Sequence, residues 1–115
     1  MKSTCHVLVV EDDAAAREVL AALLTDSGFE VTMAATAAEA WAHLRNGRRP
    51  NVIVLDLILP DMDGWDFSAP LKRDPDLSAI PIVAVSGAGT LIDAARSLRK
   101  PLDADELAGI LADLC

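Results

Sequence analysis

The hydrophobic positions fall into two alternating kinds of pattern. "HVLVV" (6–10), "NVIVLD" (51–56) and "IPIVAVS" (80–86) are short, continuous apolar runs. Runs of that length suit strands buried on both faces of a parallel sheet. "FEVTMAA" (29–35) alternates instead and predicts a strand with one wetter face. Between these runs the apolar spacing becomes helical. Asp13 can cap a helix over about 14–27, with Val19, Leu20, Leu23 and Leu24 as its inner stripe and Gly28 just past its end. "TAAE" (36–39) has the spacing of a capping box and opens a helix that runs to about 46 and stops at Gly47. "WDFSAPLKR" (65–73) looks helical but carries Pro70, which predicts a kink or a shortened helix. "DADE" (103–106) is a further cap signal, and Leu107, Ile110, Leu111 and Leu114 then recur at helical spacing.

Strand and helix therefore alternate along the chain. Such alternation predicts an α/β fold, a doubly wound parallel sheet with helices on both faces. Ligands of such sheets bind at the carboxyl ends of the strands. The polar residues expected there are Glu11 and Asp12 after the first strand, Asp56 at the end of the third, Ser86 at the end of the fourth, and Lys100 before Pro101. Taken singly, each acid could be a helix cap or a solvated loop residue; Asp13 is expected to be only a cap, and Asp61 and Asp63 turn residues. An acidic pair, an acid, a hydroxyl and a Lys-Pro at four strand ends is a joint pattern. It predicts one pocket. Two carboxylates about 5 Å apart repel by roughly 3 kcal/mol at an effective dielectric near 20, so the pocket calls for a cation. Lys100 supplies one charge, and magnesium suits a few hard oxygens with waters completing its shell.

At 115 residues the chain suits a single domain. A net charge of −8 argues against a direct grip on nucleic acid, which needs a basic surface. No run is long enough for a signal peptide or a membrane span, and the expected compartment is the cytoplasm. Cys5 and Cys115 have no metal or redox spacing; Cys5 is expected to be a small buried hydrophobe and Cys115 a free thiol. His6 and His43 belong to no motif, and Trp41 and Trp65 are expected to be packing residues or partly exposed.

"VLVVEDD", "VIVLDLILPDMDGWDF", "IPIVAVSG" and "RKPLDADEL" together resemble the response-regulator receiver domain of two-component signalling, over essentially the whole chain. The resemblance implies a flavodoxin-like sheet of five strands in the order 2-1-3-4-5. It implies that Asp56 accepts a phosphoryl group from a kinase phosphohistidine. Glu11 and Asp12 would be the acidic pair that holds magnesium together with Asp56 and the backbone carbonyl of Ile58. Ser86 and Lys100 would bond the phosphoryl group. Apolar residues stand at Ile58 and Ala88, the positions that tune the lifetime of the phosphoaspartate in the family, and neither can orient a water.

Two departures stand out. Only residues 87–99 lie between Ser86 and Lys100, too few for an average helix and an average strand with their loops. The expectation is a fourth helix lost or cut to a turn, with residues near 95–99 forming the fifth strand. Where the family carries an aromatic switch residue, this chain has Ser97, and no aromatic follows Phe67. The implied protein is a receiver domain over 1–115 with no output domain, self-catalysing its phosphotransfer rather than acting as an enzyme in the ordinary sense. Its implied partners are a sensor histidine kinase or phosphotransfer protein and an unknown downstream protein, with no nucleic acid and no membrane. The alternative is a pseudo-receiver, an interaction module that is not phosphorylated. A metal-dependent phosphatase or nuclease is disfavoured for want of a general base. Flavin binding is disfavoured because acids follow the first strand.

Overall fold

A computed structural model describes residues 5–47, 49–56, 59–86, 96–99 and 103–115, and only the backbone at Trp65, Ser86, Arg96, Ser97, Arg99 and Ala104. Strands β1 (His6–Val10), β2 (Glu30–Ala34), β3 (Val52–Asp56), β4 (Ile82–Ser86) and β5 (Arg96–Arg99) form one sheet in the order β2-β1-β3-β4-β5. Every neighbouring pair is parallel. Helices α1 (Ala14–Asp26), α2 (Ala37–Asn46), α3 (Gly64–Arg73) and α4 (Ala104–Leu114) complete the described elements. The parallel sheet and its helices are what the alternating pattern implied. The expected loss of a helix falls on residues 87–95, which lie outside the described residues.

Strand side chains alternate between faces, so each central strand feeds two cores. Leu8, Ile53, Leu55 and Ile82 point to one side and pack with α2 and α3 around Phe67 and Leu71. Val7, Val9, Val52, Val54, Val83 and Val85 point to the other and pack with Leu20 and Leu24 of α1 and Leu107 and Leu111 of α4. β1 and β3 are buried throughout, whereas β2 at the sheet edge is partly wet, as its alternation foretold.

The caps form as the sequence suggested. Asp13 accepts hydrogen bonds from the Ala15 and Ala16 amides, and Asp103 from those of Asp105 and Glu106. Thr36 accepts from the Glu39 amide, while the Glu39 carboxylate reaches back to the Ala35 amide, one residue before the usual box partner. Asp63 is more than a turn residue, since it caps α3 through the Asp66 amide. Helix α3 continues through Pro70 to Arg73. Gly28 follows α1 with φ +96, a conformation that costs a side-chain-bearing residue and suits glycine.

Two expectations are corrected. Helical spacing puts Val19 and Leu23 on the inner stripe of α1, but they are 57% and 40% exposed; only Leu20 and Leu24 of that helix are buried. One i, i+4 ridge suffices against the small valine face of the sheet, so the flanking positions stay outside. Cys115 is not a free thiol. It forms a disulfide with Cys5, the two Cα atoms being 5.8 Å apart across 110 residues of sequence. Helix α4 packs against α1 and into the core that holds Val7 and Val9, and its end lies beside the start of β1.

Candidate functional site at the carboxyl ends of the strands

β1 and β3 are adjacent and parallel, with Val10 level with Leu55. The next residue on each strand is an acid, Glu11 and Asp56, so the register alone sets two carboxylates side by side. Both are buried, with 5% and 4% of their surface exposed, and Asp12 beside them is exposed. One carboxylate oxygen from each of Glu11, Asp12 and Asp56 lies within 4.8 Å of the other two. The acids that the sequence placed at two strand ends do meet.

The loop carrying the pair is held from three sides. The Glu11 amide donates to the Ala34 carbonyl at 3.0 Å. The Asp13 amide donates to Glu11 Oε1 at 3.2 Å. Arg17 on α1 donates from Nη1 to the carbonyls of both Glu11 and Asp12, at 2.9 Å each. That guanidinium was not singled out in the sequence, because an arginine on a helix face carries no local signal of bonding backward to its own loop. It orients the backbone of the acidic pair and sets a positive charge beside it.

Ser86 ends β4, next to β3, with Val85 level with Asp56. Its backbone therefore stands at the same rim, one residue further along. Arg99 pairs level with Ser86, so β5 also ends at this rim. Lys100 and Ile58 lie outside the described residues.

Asp61 has a role that its turn position did not suggest. Its two carboxylate oxygens accept from the amides of Ala37 and Ala38, each at 3.0 Å. The loop after β3 is thereby latched to the positive amino end of α2. The Ala37 amide chiefly holds the Asp61 carboxyl below its ordinary value of 3.8; burial opposes it, and the Ala38 amide adds a smaller lowering. A depressed carboxyl contributes stability that is full above the ordinary value and fades as pH falls through the folded one. Asp61→Ala is thus expected to lower the thermal midpoint at neutral pH. The gap from wild type should narrow as the pH falls below about 4, as a midpoint series from pH 7 to pH 2.5 would read directly.

Hard carboxylate oxygens at the rim of a doubly wound parallel sheet define the class of flavodoxin-like proteins with an acidic pocket at the strand ends. Within it the chain belongs to the response regulator receiver domain family, whose model matches residues 7–111. It is 33% identical over 123 residues to response regulator Rre1 of Synechocystis sp., covering 99% of this chain and 53% of that protein. It is 32% identical over 114 residues to the DNA-binding transcriptional regulator NtrC of Rhizobium meliloti, covering 91% of this chain and 23% of that one. The chain thus spans about half or less of these two relatives. Among solved structures, the chemotaxis response regulator CheY4 of Vibrio cholerae superposes with a TM-score of 0.89 at 26% identity, covering 98% of this chain and all of that one. Among the described residues, no helix is long and apolar enough to cross a membrane.

Proposed function

We propose that this receiver domain accepts a phosphoryl group on Asp56 from the phosphohistidine of a sensor histidine kinase or phosphotransfer protein, with magnesium as cofactor. The meeting of Glu11, Asp12 and Asp56 carries this reading. The three residues fit the ion. Carboxylate oxygens bound to magnesium at about 2.1 Å are at most about 4.2 Å apart across an octahedron, so small side-chain rotations bring this set into range. Glu11, Asp12 and Asp56 would hold the ion, joined in the family by the carbonyl of Ile58. Bound there, it would neutralise oxygens of the incoming phosphoryl group.

An oxygen of the Asp56 carboxylate attacks phosphorus in line, the phosphorus–nitrogen bond breaks, and the departing imidazole nitrogen recovers a proton. Burial keeps the nucleophile largely out of water at the end of a rigid strand. Arg17 keeps the acidic loop in place while charge shifts at the rim. By family resemblance, Lys100 pairs with the transferred group and the Ser86 hydroxyl moves to bond it. The output follows through altered binding to another protein in the cytoplasm. The net charge of −8 favours a protein over nucleic acid as the domain's own partner.

Acetyl phosphate in magnesium tests the proposal. The chain is expected to gain one base-labile phosphoryl group and to lose that capacity with EDTA. Absence of label, together with no response to beryllofluoride, overturns it. With apolar residues at 58 and 88 the label is expected to be lost slowly, and Ile58→Asn to accelerate its loss. Fast loss that Ile58→Asn leaves unchanged would refute the lifetime reading alone.

A further inference from the structure

The chain has two cysteines, and they form one disulfide between the residue before β1 and the residue after α4. We propose that Cys5 and Cys115 are a reversible redox-modification site whose oxidation fastens α4 to the sheet. Three observations support it. The Cα separation of 5.8 Å falls at the commonest spacing for a disulfide, so no backbone movement is needed to join the pair. Cys115 is exposed and Cys5 half-buried, so small thiols and disulfides reach the bond directly. Cys5 also packs against the core that holds Leu107 and Leu111 of α4, so the link completes an existing contact rather than creating one.

The chemistry balances with a low-molecular-weight disulfide as oxidant. The exposed Cys115 thiol loses its proton and attacks one sulfur of that disulfide, releasing the first thiol. Cys5 then loses its proton and attacks the Cys115 sulfur of the mixed disulfide, releasing the second. The protein gives up two protons and two electrons overall, and the small disulfide becomes two thiols. Reduction by the same thiol runs the sequence backward.

The ring so closed spans 110 residues, and the constraint a disulfide places on the unfolded chain grows with ring size. Reduction should therefore lower the thermal midpoint by on the order of 10 °C or more, with the fold retained below it. It should also quicken amide exchange in α4 ahead of β1 and β3, because the helix keeps only its packing.

The test uses the whole chain equilibrated in glutathione buffers from fully reduced to fully oxidised. The expected result is an intact mass lower by two hydrogens under oxidising buffer, no thiol reactive toward a chromogenic disulfide, and recovery of two thiols on native reduction. The midpoint and the α4 exchange should follow that titration and be insensitive to it in Cys115→Ser. Chemical reduction of the wild-type chain keeps the test decisive should that variant fail to fold. Two free thiols in oxidising buffer, a bond between chains, a bond that resists reduction without denaturant, or a midpoint and exchange indifferent to redox state would each overturn the proposal. Phosphoryl labelling plays no part in these readouts, so the outcome is independent of the function proposed for Asp56.

Discussion

Asp56→Asn is expected to reduce uptake of label from acetyl phosphate on the order of a thousandfold or more, while the folding midpoint holds or rises. The two halves of this result have separate causes. The acceptor must be an anionic oxygen that can form an acyl phosphate, and a carboxamide supplies none at comparable reactivity. Residues acting as a unit fail together when the nucleophile goes, so the remaining acids cannot make good its loss. Stability moves the other way because Asp56 is one of three carboxylates with oxygens within 4.8 Å. Replacing one by a neutral group of nearly the same shape removes like-charge repulsion of about 3 kcal/mol per pair at 5 Å, an upper figure given that Asp12 is exposed. Labelling and thermal melts on the same preparation check both halves. Label retained in the variant would mean that another residue is the acceptor.

Phe67→Ala is expected to destabilise the domain by about 3–5 kcal/mol. Phe67 is fully buried on α3, and its ring lies 5.7 Å from that of Trp41 on α2 with the planes at 56°. Truncation empties the centre of one core and removes a tilted aromatic pair worth about 1 kcal/mol beyond its buried area. Among the described residues Trp41 has no second aromatic on which to lean, although Arg45 covers its ring at 5.3 Å. Against a total stability of about 5–15 kcal/mol for a small domain, the loss is large, and it corresponds to a midpoint lower by roughly 15–30 °C. Urea unfolding with an unchanged slope and a lower midpoint would confirm a loss of packing. Phe67→Leu should recover most of it. An equal loss with leucine would place the cost in the ring's specific geometry.

Much of this architecture can be read from local pattern. β1, β3 and β4 lie between neighbours and under helices on both sides, so each shows as an unbroken apolar run, the simplest signal a sequence can carry. The caps at Asp13, Thr36 and Asp103 bond within three residues, so spacing alone announces them. The acids at the rim were legible because each ends an apolar run, and a parallel sheet sends all such ends to one side. What escaped detection is decided by partners distant in sequence. Asp61 bonds amides 24 and 23 residues away, and the cysteines are 110 residues apart. Val19 and Leu23 stay outside because the width of the surface facing α1 depends on side chains of other elements, which helical periodicity does not encode.

Parallel strands have a further consequence for the distance between two chemistries. β1 carries the acids at its carboxyl end and follows Cys5 at its amino end, and its five residues are fully buried. At about 3.3 Å per residue the strand is roughly 17 Å long, and two unit charges that far apart interact by only about 1 kcal/mol at an effective dielectric near 20. Two neutral thiols and the disulfide they form carry the same net charge, so oxidation at Cys5 and Cys115 is nearly silent at the acids. Whatever one pole tells the other must travel as displacement of a single stiff rod, so communication between them is mechanical rather than electrical.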